Sequence, residues 1–222
     1  MAWHFGTDTG TSSGGACGQD FYIGKLGYGT TVSHDWTLAS GSGIYAFPYW
    51  NIQGPADPAR GSLTIVQWGQ KQADAFTAAW GGKAPTGKTG STMFGSIDTT
   101  GYTGTSITDN RNLVDAFLVQ LDGENLVSVG LYGNTTEFAN RLNSSTWTPP
   151  VGVVVWEAIF PYTGSGPACS VVERDFVRYA TTKCGSYVTM IWQYGGTPTN
   201  PWDHDITPYN GGPDSGLWNP TT

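Results

Sequence analysis

The sequence predicts an α/β protein folded as a single parallel β/α barrel over residues 1–222. Short strands alternate with amphipathic helices along the chain, and no linker interrupts the alternation. The strand segments are nearly continuous apolar runs, which is typical of parallel sheets buried on both faces. The segment 151–158 is apolar almost to its end. A chain of 222 residues is also long enough to form one complete hydrophobic core.

Each element is predicted from its apolar spacing and from the turn-forming residues beside it. Apolar runs predict strands at residues 5–8, 21–25, 43–50, 92–100, 126–132, 151–158, 187–194 and 206–209. Apolar residues three and four positions apart predict helices at residues 62–80, 109–121, 135–142 and 171–182. Asp109 is expected to be the N-cap of the second helix, because its side chain could accept from the N–H groups of the first turn.

Charged residues make up only 12% of the chain, against about 25% in a typical protein. The chain is instead rich in Gly, Trp and Tyr, with 32, 10 and 11 residues. Such a composition suits a surface that works by ring stacking and neutral hydrogen bonds, as sugar binding does, although a loop-rich fold would share it. The net charge of −7 and the lack of a Lys/Arg-rich run argue against nucleic acid and against electrostatic attachment to membranes.

The three cysteines leave two alternatives for the redox environment. A bond between Cys169 and Cys184, which flank the predicted fourth helix, would close a loop of about 15 residues and stabilise the fold by roughly 3 kcal/mol. Cys17 would then be a free thiol. The alternative is three reduced thiols in a cytosolic protein. No C-x-x-C or similar ligand spacing occurs, so we expect no metal and no cofactor.

The most specific pattern lies near the C-terminal end of the sequence. It reads M-I-W-Q-Y at residues 190–194 and D-H-D-I-T-P-Y-N-G at residues 203–211. This order resembles the closing segment of glycoside hydrolase family 25, the lysozymes that cut bacterial peptidoglycan, in which a W-Q-Y strand is followed by V-D-L-N-x-[FY]-N-G. Further segments resemble the family in the same order: F-Y-I-G-K-L-G-Y-G-T at 21–30, G-I-Y-A-F at 43–47, Q-A-D-A-F at 72–76 and L-Y-G-N at 131–134.

The resemblance implies a single irregular β/α barrel of the TIM type whose site lies at the C-terminal ends of the strands. It also implies that Asp8 and Asp205 are the first-strand and last-strand catalytic Asp residues. Family members carry D-x-E on the fourth strand, where this chain reads G-S-I-D-T-T-G at residues 95–101. Either Asp98 matches the Asp and Thr100 the Glu, or Ser96 matches the Asp and Asp98 the Glu. In both alignments Asp98 is the one carboxylate that remains on this strand.

Glu157, on the sixth strand, is a further candidate catalytic acid. Its strand is the most apolar of the chain, so burial could raise its pKa; an ion pair with Arg174 or Lys183 is the alternative. Aromatic residues at predicted strand ends are expected to offer stacking faces for pyranose rings, although half or more of them should belong to the core. The predicted substrate-binding residues are Tyr49, Tyr132, Trp192, Tyr194 and Tyr209.

The sequence leaves two functional hypotheses. The first is a glycoside hydrolase that cleaves bacterial cell-wall peptidoglycan with carboxylates at the mouth of the barrel. The alternative is a non-catalytic carbohydrate-binding or structural pseudoenzyme of a wall or phage assembly that retains the barrel. In either case the partner is a bacterial cell-wall glycan and the location is extracellular or phage-associated. Residues 1–10 carry no signal-peptide pattern, so an export signal is expected to be absent or already removed.

Overall fold

The computed structural model describes residues 4–7, 21–33, 45–81, 92–123, 129–160, 168–180, 188–197 and 200–207. The strands are β1 His4–Thr7, β2 Phe21–Tyr28, β3 Thr31–Val32, β4 Tyr45–Asn51, β5 Met93–Ser96, β6 Val129–Asn134, β7 Val153–Ala158, β8 Val188–Thr197 and β9 Asn200–Thr207. The helices are α1 Ile65–Gly81, α2 Ile107–Gly123, α3 Thr135–Glu137 and α4 Cys169–Ala180. A π-helical turn, Phe138–Leu142, continues α3.

The strands form one sheet in the order β1-β9-β8-β7-β6-β5-β4-β2-β3. Strands β1, β2 and β4–β8 run parallel, whereas β9 is antiparallel to both β8 and β1. Strand β1 also pairs with β2, through Gly6 with Phe21 and Thr7 with Tyr22. Because β1 pairs with β9 on its other edge, the order of paired strands forms a ring. The prediction of an irregular β/α barrel is therefore confirmed.

Side chains alternate between the inside of the barrel and its outer face, as the pleat of a strand requires. In β7, Val154 and Trp156 contact the inner cluster, while Val153 and Val155 contact the cluster beneath the helices. The inner cluster is made of Phe21, Ile23, Phe47, Phe94, Trp156 and Ile191. Its rings meet edge to face, with centroids 5.8 Å apart for Phe94 and Trp156. This packing fills the barrel below its mouth.

Two groups of helices cover the outside. Helices α1 and α2 pack together over β4, β5 and β6, where Phe76 stacks between Trp50 and Phe117 at centroid distances of 5.5 and 6.3 Å. Helix α4 covers β8 and β9 through Val172 and Phe176. Within the described residues, no helix is long and apolar enough to cross a membrane.

Several element boundaries differ from the prediction. Helix α2 begins at Ile107, and the Ser106 hydroxyl accepts from the N–H of Asp109 at 3.0 Å. The prediction of Asp109 as the N-cap is therefore wrong; Asp109 lies in the first turn, where its charge favours the helix dipole. Strand β5 ends at Ser96, before the predicted limit, and β9 begins at Asn200 because it pairs with β8 along a ribbon.

Cys169, the first residue of α4, is disulfide-bonded. Cys17 and Cys184 lie outside the described residues. The pairing of Cys169 with Cys184 therefore stays a prediction.

Replacing Phe76 by Ala should lower the free energy of unfolding by about 3–5 kcal/mol, because it leaves a cavity between two stacked rings. Val66→Ala on the same helix is the control: its side chain is 46% exposed, and the change should stay within about 0.5 kcal/mol. Urea denaturation measures both. A loss below about 1 kcal/mol for Phe76→Ala would contradict the packing described here.

Candidate active site

The C-terminal ends of the parallel strands meet at one mouth of the barrel, and an aromatic and polar network lies just inside it. Trp156 Nε1 donates to Asp205 Oδ1 at 2.8 Å, and the Tyr132 hydroxyl donates to Gln193 Oε1 at 2.7 Å. The Tyr132 and Trp156 rings are in contact, with centroids 4.1 Å apart. Tyr49 meets Trp156 edge to face at 5.6 Å. The network thus joins strands β4, β6, β7, β8 and β9.

The antiparallel strand β9 explains how Asp205 reaches this network. Asp205 is the register partner of Gln193 on β8 and of Gly6 on β1. The next residue, Ile206, packs under α4, so Asp205 points to the opposite face, into the barrel. Its side chain is fully buried. Burial and, second, the charge of Asp205 raise the pKa of the Tyr194 phenol above its usual range.

A second group of ionisable side chains lies at the ends of β5 and β6, and the sequence analysis had not selected its central member, Glu137. Asn134 is the N-cap of α3: its side chain accepts from the N–H of Glu137 at 3.0 Å. The Glu137 carboxylate accepts in return from the N–H of Asn134 at 3.1 Å, which completes a capping box. The two residues therefore fix the Glu137 carboxyl close to the end of β6, with only 9% of the residue exposed.

The environment of Glu137 raises its pKa to about 7. Burial is the largest cause, followed by a hydrogen bond to the Asp98 side chain; the Asp98 charge adds to both. The N–H of Asn134 and the charge of Arg141 act in the opposite direction. Two carboxyl groups can form a hydrogen bond only if one of them carries a proton. The Glu137 carboxyl, with its pKa raised to about 7, therefore retains a proton up to near-neutral pH.

Arg141 fixes the loop that carries Asp98. Its Nη2 atom pairs with Glu137 Oε1 at 3.3 Å, and its Nη1 atom donates to the carbonyl oxygens of Ile97 and, at 3.1 Å, of Thr99. One guanidinium thus contacts both the carboxyl pair and the backbone on either side of Asp98. The face of the same guanidinium lies 4.8 Å from the centroid of the Tyr102 ring.

Gln53 holds the other side of this loop. It donates through Nε2 to Thr99 Oγ1 at 2.8 Å and accepts through Oε1 from Thr100 Oγ1 at 2.6 Å. Its own carbonyl oxygen accepts from Trp68 Nε1 and Gln72 Nε2 on α1, both at 3.1 Å. The Thr100 hydroxyl therefore donates its hydrogen bond to Gln53 and not to the carboxyl group of Asp98 or Glu137.

Close backbone contact completes the support of the loop. The N–H of Gly54 donates to the carbonyl oxygen of Thr100, and that of Ala56 to Gly101, both at 2.9 Å. Gly101 has a φ of 85°, and a Cβ atom there would lie 2.9 Å from the nitrogen of Gly54. Only glycine fits this left-handed, crowded position without strain.

Two cavities open beside these groups. One, of about 490 Å³, is lined by Asn134, Thr135, Thr136, Glu137, Ala158, Ile159 and Phe160. Phe160 is 49% exposed and offers an aromatic face there. The other, of about 240 Å³, is lined by Tyr28, Gly29, Thr30, Thr31, Gln53, Asp57, Ala59 and Thr100. Among the described residues, no group of three or more His, Cys, Asp or Glu side chains could hold a metal ion.

The predicted site residues fall into three groups. Asp205, Tyr132 and Tyr49 meet in the network inside the mouth, and Asp98 is exposed beside Glu137. Glu157, Trp192 and Tyr194 lie away from that network. Asp8 and Tyr209 lie outside the described residues.

Glu157 and Trp192 belong to the outer face of the sheet. Glu157 follows Trp156, so its side chain points away from the barrel interior; it is fully buried and accepts from Thr135 Oγ1 at 3.3 Å. Of its two suggested ion-pair partners, Arg174 pairs with its neighbour Asp175 at 2.9 Å, and Lys183 lies outside the described residues. Trp192 is fully buried against Phe176 of α4. Its ring has no face that a sugar could reach.

Tyr194 packs against Trp192, with ring centroids 5.6 Å apart, and is 5% exposed. It belongs to the same cluster under α4 as Phe5 and Ile206. Little of its ring is therefore accessible for stacking.

Comparison with known proteins identifies the fold. No protein-family model matches the sequence, and neither does any curated protein sequence. Solved structures do match. A family GH25 lysozyme from Aspergillus fumigatus has a TM-score of 0.62 at 16% identity, covering 94% of this chain and 95% of that one. The spore cortex lytic enzyme SleM of Clostridium perfringens has a TM-score of 0.61 at 16% identity, covering 93% and 67%.

A third structure agrees with these two. The bacterial lysozyme from Streptomyces coelicolor has a TM-score of 0.57 at 16% identity and covers 93% of this chain and 89% of that one. At such identities the likeness establishes the fold and does not by itself transfer an activity. The chain has the fold of the family 25 lysozymes.

The raised pKa of Glu137 should make folding stability depend on pH. The folded protein retains a proton that the unfolded chain releases above the usual pKa of 4.5, so stability should fall as pH rises through 4.5 to about 7. The loss should amount to a few kcal/mol, since each pKa unit corresponds to about 1.4 kcal/mol.

Glu137→Gln keeps the capping box but cannot ionise, so its stability should fall less between pH 5 and pH 8 than that of the wild type. Denaturant titrations at several pH values measure the slope. Glu173→Gln on α4 is the matched control and should follow the wild type. Equal slopes for Glu137→Gln and the wild type would contradict the assignment of the proton to this pair.

Proposed function

We propose that the protein is a glycoside hydrolase that cleaves bacterial cell-wall peptidoglycan in the manner of a lysozyme. The observation that carries the proposal is the buried Glu137 carboxyl, held by its capping box and adjacent to Asp98 at the mouth of a barrel with the lysozyme fold. The solved structures it resembles include proteins named as lysozymes and as a spore cortex lytic enzyme, which supports this substrate class. An extracellular or phage-associated location follows from such a substrate.

The chemistry requires a proton donor and a negative charge. A protonated carboxyl gives its proton to the glycosidic oxygen, the bond from that oxygen to the anomeric carbon breaks, and the sugar left behind carries positive charge. A carboxylate or the acetamido oxygen of the substrate stabilises that charge. Water then adds to the anomeric carbon and returns a proton to the carboxylate that donated one. The carboxyl pair suits the first role because it stores a proton at neutral pH.

Asp205 suits the second requirement. It is buried and oriented by Trp156, so its charge acts through an interior that screens it far less than water would. Tyr49 and Tyr132 are partly buried beside Trp156 and would contact the sugar at the mouth. Asp8 and Tyr209 keep the catalytic and sugar-binding roles proposed from the resemblance.

The low charge of the chain is consistent with this substrate. Neutral hydrogen bonds and ring faces are what a neutral sugar backbone requires, and few ionic contacts are needed. The exposed Phe160 ring beside the larger cavity adds one such face to the tyrosines.

One observation favours a second candidate function, a carbohydrate-binding pseudoenzyme. Thr100, which one alignment equates with the family Glu, is hydrogen-bonded to Gln53 and cannot donate a proton near neutral pH. A turbidity assay and a reducing-end assay on purified peptidoglycan separate the two functions. Release of new reducing ends supports the hydrolase, and binding without release supports the pseudoenzyme.

Asp98→Asn should lower peptidoglycan cleavage at pH 7 by about 100-fold or more, the usual scale of general acid–base catalysis. The substitution keeps the shape of the side chain but removes the carboxyl that is hydrogen-bonded to Glu137. Reducing-end release at pH 7 measures the effect, and sedimentation with insoluble peptidoglycan checks that binding is retained. Cleavage at the wild-type rate would remove Asp98 from the site.

Asp205→Asn should also lower cleavage by at least about 10-fold while preserving the fold, because the remaining amide oxygen still accepts from Trp156 but the charge is gone. Asp115→Asn is a closely matched control. Asp115 Oδ1 accepts from Trp147 Nε1 at 2.9 Å, an equivalent Trp–Asp pair on the outer side of α2. Equal effects of the two substitutions on cleavage would show that the loss at Asp205 is merely structural.

A further inference from the structure

We propose that Glu137, and not Asp98, is the group that donates the proton to the glycosidic oxygen. This assignment rests on the proposed hydrolase function and adds a catalytic residue to it. Glu137 lies three residues beyond the end of β6, outside the strand ends at which the family resemblance locates its carboxylates.

The first argument is that a sugar can reach Glu137. Glu137 lines the cavity of about 490 Å³ that opens at the ends of β6 and β7, together with the exposed ring of Phe160. A sugar ring stacked on Phe160 would lie in the same cavity as the Glu137 carboxyl. A carboxylic acid beside an aromatic side chain is an arrangement that keeps a catalytic acid protonated in lysozymes.

The second argument is the difference in burial between the two carboxyl groups of the pair. Glu137 is 9% exposed, whereas Asp98 is exposed to solvent. Burial penalises a charge and raises the pKa of the Glu137 carboxyl, so Glu137 is the member of the pair that retains a proton towards neutral pH. Asp98 then acts as a positioning residue that accepts the hydrogen bond from protonated Glu137.

The charged and titratable groups around Glu137 in the described part of the chain are consistent with this assignment. Asp98 comes from the loop after β5, Arg141 from the π-helical turn, and Tyr102 from the segment before α2. Arg141 favours the ionised form, so it stabilises the carboxylate that forms once the proton has left. The Tyr102 phenol is buried, which raises its pKa far above neutrality, so it stays neutral throughout.

The proton transfer is balanced without any further reactant. The O–H bond of Glu137 breaks as the proton joins the glycosidic oxygen, and the bond between that oxygen and the anomeric carbon breaks with both electrons going to the oxygen. Glu137 is left as a carboxylate paired with Arg141. The water that later attacks the anomeric carbon loses a proton to Glu137, which restores the starting state.

Two crossed substitutions test which carboxyl donates. If Glu137 is the donor, Glu137→Gln should lower cleavage of peptidoglycan by about 100-fold or more at every pH from 4 to 8. Asp98→Asn should instead shift the alkaline limb of the pH profile to lower pH, because an amide that donates to Glu137 stabilises its ionised form. Cleavage by Asp98→Asn should then recover towards pH 5. The reverse pattern, with Asp98→Asn inactive throughout and Glu137→Gln merely shifted, would overturn the proposal.

A second measurement separates proton donation from a structural role of the capping box. A chitooligosaccharide with a 2,4-dinitrophenyl leaving group needs no proton on the departing oxygen. Glu137→Gln should therefore hydrolyse it within about threefold of the wild-type kcat, although it fails on peptidoglycan. Equal losses on both substrates would overturn the proposal. If the wild type cleaves neither substrate, the hydrolase function itself fails. An active wild type together with a Glu137→Gln variant that cleaves peptidoglycan at the wild-type rate refutes this inference alone.

Discussion

One guanidinium group, that of Arg141, holds together the loop and the turn that carry Asp98 and Glu137 at the mouth of the barrel. Arg141 reaches from the π-helical turn back to the carbonyl oxygens of Ile97 and Thr99, and its Nη2 atom also contacts Glu137 Oε1. Each of these acceptors would be costly to bury without a partner, and a planar fork with five N–H groups can serve all three. Lysine could not replace it, because a single ammonium cannot span the same set of acceptors. Arg141, which lies in the turn after β6, therefore fixes the position of Asp98, which lies in the loop after β5.

Two side chains of α2 bind the backbone of the turn that carries Arg141. Asn110 Nδ2 donates to the Arg141 carbonyl oxygen at 3.1 Å, and Arg111 Nε donates to that of Leu142 at 2.7 Å. These bonds satisfy carbonyl groups that the end of a helix leaves without intrahelical partners. The carboxyl pair is thus connected through Arg141 to the core that α1 and α2 share. Such a continuous support gives the rigid positioning that general acid catalysis requires, although the residues themselves lie on a loop and a short turn.

The sequence was sufficient to predict the barrel, and it also selected several residues that the structure brings together, for identifiable physical reasons. Apolar alternation and the family resemblance selected Asp205, Tyr132 and Tyr49, and the structure brings these residues together around Trp156 because the core fixes the strands that carry them. The same reasoning placed Trp192 at the rim, but alternation along β8 directs Gln193 inward and Trp192 beneath α4. Glu137 was not predicted because it lies in α3, three residues beyond the end of β6, whereas the family resemblance places its acids at strand ends. The N-x-x-E capping box at residues 134–137, directly after a strand, was the available signal.

The π-helical turn at Phe138–Leu142 has a consequence for how this site can vary in evolution. Such a turn contains one residue more than an α-helical turn needs, and it ends at Asn143 in the left-handed conformation. Deleting any one residue from it would rotate the following positions by about 100° around the helix axis and carry Arg141 or its anchors away from the loop. Point substitutions at Ala139 or Asn140, which are exposed, leave that geometry intact. Related chains that use the same carboxyl pair should therefore conserve the length of this segment more strictly than its residues, and alignment gaps there would mark chains in which the pair has been lost.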